Sequence, residues 1–129
     1  MITDNDYARI LADGVRLWNE HKFFECHDKL EEAWKAVKHE KKREPAADPR
    51  RDLVHGVILL AVAYHHWRNQ NFVGAQRKFE DGLGKLAAYP DASGGIHVGP
   101  LRAKGREHLG WVVQSAPFRP EFVPRLVLR

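Results

Sequence analysis

The segment from Phe23 to Trp34 holds the residues best suited to chemistry, His27 and Glu31, which are four residues apart on one predicted helix. Side chains at i and i+4 reach the same volume beside a helix, so the carboxylate can orient the imidazole and raise its basicity. This arrangement is half of a general-base site or half of a His-x-x-x-Glu metal site. His27 and Glu31 are therefore the candidate catalytic residues, and a bound metal requires a third ligand from another element.

The second predicted hairpin supplies candidates for that third position. If helices 2 and 3 are antiparallel neighbours, the start of helix 2 faces the end of helix 3, and His27 lies near Tyr64 and His65. We therefore predict a binding pocket formed by His27, Glu31, Trp34, Tyr64 and His65, with His27, Glu31 and His65 as the candidate metal ligands. The alternative is a structural pair, in which a bond from His27 to Glu31 ties two helices together and gives specificity more than stability.

Other chemical motifs are absent from the sequence. Cys26 lies about 100° around the helix from His27 and is more typical of a small core residue than of a nucleophile. The sequence contains no glycine-rich phosphate loop, paired-cysteine metal motif or nucleophile elbow. No particular cofactor is indicated, and the partner is either a small molecule or a protein.

Helix signals position these residues. Thr3 is a plausible N-cap for a first helix from about Asp4 to Asn19. A short break at residues 20–22 leads into helix 2, which makes the two helices an antiparallel hairpin. Helix 2 is predicted to continue to Arg43 and to end before Pro45.

The second half repeats this organisation. Helix 3, from about Pro49 to Arg68, is apolar around most of its circumference and should be the most buried element, with Gly56 permitting close helix approach. A tight turn precedes helix 4, from about Phe72 to Ala88. Asp91–Gly99 is a glycine-rich predicted loop, and Pro100 opens a fifth, shorter helix to about Gln114.

The C-terminal tail, residues 116–129, combines three prolines with many apolar side chains. It cannot be helical throughout, and it is too apolar for a free segment. We expect it to lie on the domain surface or on a partner, which makes a homodimer through this tail possible.

An internal repeat relates the two hairpins. A shift of 49 residues superposes Trp18 on Trp67, and it also superposes three further identical pairs in the segment that follows (Phe23 on Phe72, Lys29 on Lys78, Glu31 on Glu80). Both halves have an aromatic residue before the turn and a phenylalanine after it, so they should pack as related pairs, as tetratricopeptide hairpins do. His27 is matched by Gln76, which marks the histidine as the departure from the repeat.

The combined motifs resemble a known family. The segment from Phe23 to Trp34 is similar to the signature of small uncharacterised proteins grouped as domain of unknown function 309: an aromatic, a small residue, then His-x-x-x-Glu-x-x-Trp. The segments 56–65 and 71–75 also resemble that family, whose glutamine before the glycine of helix 3 is His55 here. The resemblance covers roughly residues 18–86. It implies an all-helical domain without an established activity and carries over His27, Glu31 and Trp34 as motif residues.

Composition bounds the remaining possibilities. A chain of 129 residues with 43% apolar content is typical of one globular domain, here 1–129 with a helical core of about 4–114. One cysteine excludes an intrachain disulfide, and the N-terminus lacks the features of a signal peptide, so we expect a cytosolic protein. The longest apolar run, Leu53–Trp67, is too short and too interrupted to span a membrane. The mild formal charge of +4 makes nucleic-acid binding through the basic linker, Lys38–Arg51, less favoured than a solvated linker.

The sequence therefore predicts an all-α bundle of two antiparallel hairpins, a short fifth helix and an extended tail. The leading functional hypothesis is a cytosolic binding or interaction module with a polar pocket at His27 and Glu31. A small metal-dependent or general-base enzyme that uses these two residues is the alternative, and weak nucleic-acid binding is the second alternative.

Overall fold

The computed structural model describes residues 3–40, 50–93 and 95–128. These residues form five helices, which confirms the all-α fold class. In chain order the elements are α1 Asp4–Asn19, α2 Phe23–Glu40, α3 Arg50–Arg68, α4 Phe72–Leu86, the short antiparallel strands β1 Ala92–Ser93 and β2 Ile96–His97, α5 Val98–Val113, and a single 3-10 turn at Pro120–Phe122.

The helices pack in the order in which they occur along the chain. The first hairpin joins α1 to α2 and the second joins α3 to α4, while α2 packs on α3 and α4 packs on α5. This order makes α3 the central helix, with neighbours on both sides. It explains why apolar residues cover most of the circumference of α3.

The two predicted repeats share the same turn. His21 and Gln70, 49 residues apart, both adopt left-handed backbone conformations, with φ angles of 61° and 63°. Their amides donate to the carbonyl oxygens of Trp18 and Trp67 at 2.8 and 3.0 Å. In each case the next amide reaches back five residues, which completes the Schellman motif that ends a helix. The repeat seen in the side chains is therefore also present in the backbone.

A glycine sets the distance between α3 and α4. A Cβ atom at Gly56 would lie 2.7 Å from Cγ of Leu86, so any larger residue would push the helices apart. The expectation that Gly56 permits close approach is confirmed.

Large aromatic residues fill the centre of the bundle. Trp18 of α1, Phe23 of α2 and Phe79 of α4 surround the Tyr64 ring, with ring centroids between 5.0 and 5.7 Å away. All four side chains are fully buried. Such edge-to-face and stacked contacts add to the free energy gained by burial, so this cluster joins the two hairpins.

Several predicted boundaries need correction. Helix α4 ends at Leu86 instead of Ala88, and α5 begins at Val98 instead of Pro100. A proline in the first turn is tolerated there because the first amides of a helix have no intrahelical acceptor. The predicted loop Asp91–Gly99 contains the β1–β2 hairpin, with Gly95 at a φ of 86°. The predicted extension of helix 2 to Arg43 lies outside the described residues.

The tail lies on the domain, as one of the two sequence alternatives predicted. The indole nitrogens of Trp18 and Trp67 donate to the carbonyl oxygens of Pro124 and Ala116 at 2.8 and 2.7 Å. Val123 and Leu126 of the tail are buried. In the described part of the chain, no helix has the length and apolar character needed to cross a bilayer.

Candidate functional site

The first turns of α2 present His27 and Glu31 side by side, as their spacing predicted. His27 Nε2 lies 3.3 Å from Glu31 Oε1, and the two side chains are 22% and 33% exposed. The Glu31 carboxylate lies close enough to the imidazole to orient it. The pair is thus half-buried and oriented.

The other ring nitrogen of His27, Nδ1, lies near a carboxylate but is not hydrogen-bonded to it. His27 Nδ1 lies 3.2 Å from Asp28 Oδ1, within ion-pair distance. It nevertheless makes no hydrogen bond of acceptable geometry to the residues that the structure describes, and the atom is buried. Adjacent residues on a helix point in diverging directions, so the Asp28 carboxylate lies close to Nδ1 but is poorly aligned with it.

Helix α3 contributes His65 to the same surface. The exposed ring of Phe24 lies between the two imidazoles, with its centroid 5.6 Å from that of His27 and 5.4 Å from that of His65. Asn69 Nδ2 lies 3.4 Å from His65 Nε2, so the imidazole accepts there and carries its hydrogen on Nδ1. His65 Nδ1 is buried and, among the described residues, has no acceptor.

Electrostatics keeps His65 neutral. Burial is the main cause of its lowered pKa, and the charges of Arg68 and His27 lower it further, against an opposing contribution from Glu25. At neutral pH this imidazole therefore offers one hydrogen-bond donor.

Trp34 lies on the same side of α2 but meets a different histidine. Its ring stacks on His55 of α3, with centroids 4.6 Å apart and an interplanar angle of 27°. The antiparallel register that pairs Phe24 with His65 also pairs Trp34, ten residues later, with His55, ten residues earlier. Sequence reasoning did not predict this contact, although the antiparallel register that it assumed for helices 2 and 3 places Trp34 beside His55. Burial, followed by the Lys85 charge, lowers the pKa of His55.

We call this surface the α2–α3 seam. It consists of Phe24, His27, Glu31 and Trp34 from α2 and of His55 and His65 from α3. Beyond His55 it continues into an open groove of about 620 Å³ between α3 and α4, lined by His55, Leu59, Lys78, Glu80, Asp81, Gly84 and Lys85.

Tyr64 does not join the seam, although the sequence interpretation placed it in the pocket. Its hydroxyl lies 2.6 Å from Nδ1 of His108 on α5, and both side chains are buried. About 100° of helix rotation separates Tyr64 from His65, so one faces the core while the other faces the seam. Sequence reasoning did not identify this contact between α3 and α5.

The metal-ligand prediction also changes in one member. Among the described residues, one group of three donors lies within 4.8 Å of one another, and it contains His27, Asp28 and Glu31. His65 is not part of that group, and its ring contacts Phe24. The third member of the group is Asp28, which is 62% exposed on the same helix.

Cys26 is a structural residue, as expected. It is fully buried, and burial raises the pKa of its thiol to about 12, against a small opposing effect of a backbone hydrogen bond with Trp18. A thiol with this pKa stays protonated at neutral pH and is a poor nucleophile.

Comparison with known proteins places the seam within a recognised sequence region. Residues 11–78 match the model of a family described as Domain of unknown function (DUF309). Over 103 residues the chain is 29% identical to an uncharacterised protein of Aquifex aeolicus (strain VF5). The matched segment is 80% of this chain and 28% of that protein. Over 66 residues it is 41% identical to the uncharacterised protein YpuF of Bacillus subtilis (strain 168). This segment is 51% of this chain and 33% of YpuF. The chain thus spans no more than about a third of the length of these curated relatives.

Proposed function

Because this chain belongs to the DUF309 family, whose description states no activity, we propose a function from the geometry of the chain alone. We propose that the protein is a binding module and that the α2–α3 seam is its ligand-binding surface. The ligand class that fits the seam best contains an amide group next to an apolar group.

One observation carries this proposal, namely the two buried Nδ1 atoms on either side of Phe24. His65 Nδ1–H is a donor, and His27 Nδ1 is an acceptor in the tautomer that carries its hydrogen on Nε2, next to Glu31. Neither nitrogen has a hydrogen-bond partner among the described residues. Leaving a buried polar atom without a partner costs about 1–3 kcal/mol. An amide has one N–H and one C=O, which are the two groups that these nitrogens lack, and the exposed Phe24 side chain would have to move aside for a ligand to reach them.

The apolar part of the ligand is suggested by Phe24. This side chain is 51% exposed, although it lies between two half-buried imidazoles. A pocket that combines an apolar wall with a few oriented polar groups is typical of small-molecule and peptide sites. A ring or branched side chain beside the amide would cover Phe24.

The proposal predicts discrimination between an amide and its ester analogue. N-benzylacetamide should shift the imidazole nitrogen resonances of His27 and His65 in an NMR titration, whereas benzyl acetate, which has no N–H, should bind at least about tenfold more weakly. His27→Ala should abolish the preference for the amide.

His97→Ala is the matched control, because His97 is exposed on β2, away from the seam. It should bind both compounds as the wild-type protein does. Equal affinity for amide and ester, or an amide preference that survives His27→Ala, would exclude the seam as an amide site.

Divalent-metal binding is a second candidate function, favoured by the cluster of His27, Asp28 and Glu31. Imidazole and carboxylate donors suit zinc and other first-row transition metals. In a metal-dependent or general-base enzyme, Glu31 would orient His27 as the pair is seen here. Metal analysis of protein purified without a histidine tag separates the candidates. Stoichiometric metal that is lost in His27→Ala and retained in His97→Ala would favour the enzyme, and protein without metal would favour the binding module.

Nucleic-acid binding through the basic linker stays a prediction, because most of Lys38–Arg51 lies outside the described side chains. Arg50, at the end of that segment, is engaged with α1. Its guanidinium lies 3.4 Å from Asp4 Oδ1 and 4.7 Å from the centroid of the Tyr7 ring. A titration at low ionic strength with single- and double-stranded DNA tests the remainder of the linker.

A further inference from the structure

A second cavity lies between the end of α5 and the start of the tail, outside the α2–α3 seam. Its volume is about 300 Å³, and it is lined by Trp111, Ala116, Pro117, Arg119 and Phe122. No residue is shared with the seam. Nothing in the family match concerns this region, because the match ends at residue 78.

The walls of the cavity are held in place by the backbone. Trp111 and Phe122 meet edge to face, with ring centroids 4.7 Å apart and planes at 69°. The Ala116 amide donates to the carbonyl of Trp111 at 3.0 Å, while its own carbonyl accepts from Trp67 Nε1. The Phe122 amide donates to the carbonyl of Arg119 at 3.1 Å. A ligand would therefore meet a preformed site and would not have to order it.

The chemistry of the lining is apolar with one cation. The exposed Arg119 forms no ion pair with the acidic residues that the structure describes, including Glu121, two residues further along. On the neighbouring α5, Glu107 lies 3.8 Å from Lys104, its own partner. The mouth of the cavity thus carries a guanidinium whose charge is not compensated locally. A guanidinium binds a carboxylate with two parallel hydrogen bonds.

We propose that this cavity binds a small aromatic carboxylate, a molecule with a single ring and a short acidic arm. The ring would pack against the Trp111 and Phe122 side chains, where aromatic faces and edges are both available. The carboxylate would pair with Arg119 at the mouth. An enclosed cavity of about 150 Å³ holds benzene, so this open pocket of about 300 Å³ has room for one ring and a short arm against its walls.

Phenylacetate, phenethylamine and benzyl alcohol test the proposal, because they share one ring and differ in charge. Each is titrated into the full chain while the indole N–H signal of Trp111, assigned with Trp111→Phe, is followed by NMR. Phenylacetate should shift this signal in a saturable manner. The cationic and neutral compounds should bind roughly tenfold more weakly or not at all, since they lack a charge-assisted bond to Arg119.

Two variants locate the site. Arg119→Gln should weaken phenylacetate binding roughly tenfold, to the level of benzyl alcohol. Arg125→Gln, which removes another exposed arginine of the same tail outside the cavity, should leave the affinity unchanged.

Two outcomes would overturn the proposal. The first is the absence of a saturable shift with phenylacetate. The second is that the three compounds bind the wild-type protein with equal affinity and that Arg119→Gln changes none of these affinities. A preference for phenethylamine would assign the cavity to cations instead. His27→Ala should bind phenylacetate as the wild-type protein does, so the test is independent of the seam.

Discussion

At the scale of single residues, two histidines make contacts that have opposite consequences. His27 is half-buried beside Glu31, whereas His108 is 1% exposed and is hydrogen-bonded to the hydroxyl of Tyr64. Burial lowers the pKa of His108 to about 4, more than the neighbouring Glu107 charge raises it. The first contact suits binding, and the second suits a core that must stay neutral.

The depressed pKa of His108 predicts a loss of stability in acid. In the unfolded chain a histidine titrates near 6.5, so between pH 6.5 and about 4 the unfolded state binds more protons than the native state. The free energy of unfolding should therefore fall as the pH decreases through this window, by about 3 kcal/mol from this residue. Above pH 6.5 its contribution is fully retained.

His108→Gln isolates this effect, because glutamine can accept from Tyr64 and does not titrate. Both proteins are unfolded with urea at pH 7.5 and at pH 4. Between these two pH values the wild-type protein should lose about 3 kcal/mol of unfolding free energy more than His108→Gln does. His97→Gln, at an exposed site, should follow the wild-type curve. A difference that is independent of pH would show that His108 is not the group that titrates.

Much of the candidate site could be predicted from the sequence, but its exact membership could not. The i and i+4 spacing correctly brought His27 and Glu31 together, and the antiparallel hairpin correctly brought His65 beside them. Tyr64 was misplaced because neighbouring residues on one helix face different directions, and only the position of α5 shows which face is the core. Asp28 was missed as a third donor because its distance from His27 depends on rotamers.

At the scale of elements, the helix ends carry the repeat. Helices α1, α3 and α5 all end with a residue in the left-handed conformation, at His21, Gln70 and Ser115. None of the three is a glycine, although this conformation costs roughly 1–2 kcal/mol for other residues. Sequence reasoning placed a break at residues 20–22, a tight turn before helix 4 and the end of helix 5 at about Gln114, but it did not predict their backbone conformation, because glycine, the usual signal, is missing.

Gln70→Gly should therefore stabilise the protein. Gln70 is exposed, with a φ of 63°, so glycine removes the backbone strain and loses no buried contact. After the entropy cost of glycine in the unfolded chain, we expect a gain of about 0.5–1 kcal/mol in the free energy of unfolding, measured by urea denaturation.

Gln114→Gly is the matched control at the end of α5. Gln114 has a φ of −90°, where glycine brings only its entropy cost, so this variant should be less stable than the wild type. If both glycine variants changed stability in the same direction, strain at Gln70 would not be the cause.

At the scale of the whole molecule, the tail connects the two repeats. Trp18 and Trp67 occupy equivalent positions, and each indole donates to a carbonyl of the tail, which therefore crosses the ends of α1 and α3. Apolar content predicted that the tail would be covered, but not by what. The choice between its own domain and a partner depends on hydrogen bonds to the tail backbone, which leave no pattern in the tail sequence.

Asn19 makes the most specific of these contacts and supports the last prediction. Its Nδ2 donates to the carbonyl of Leu126 at 3.0 Å, and the Leu126 amide donates to its Oδ1 at 2.9 Å. Asn19→Ala removes both bonds and leaves two part-buried backbone groups without partners, which should lower the free energy of unfolding by about 1–3 kcal/mol. Hydrogen exchange of the Leu126 amide should accelerate more than that of α3 amides, because the tail can open without global unfolding. Asn5→Ala, at an exposed position in α1, should leave the exchange of Leu126 unchanged. Equal acceleration in the tail and in α3 would mean instead that the tail and the bundle unfold together as one cooperative unit.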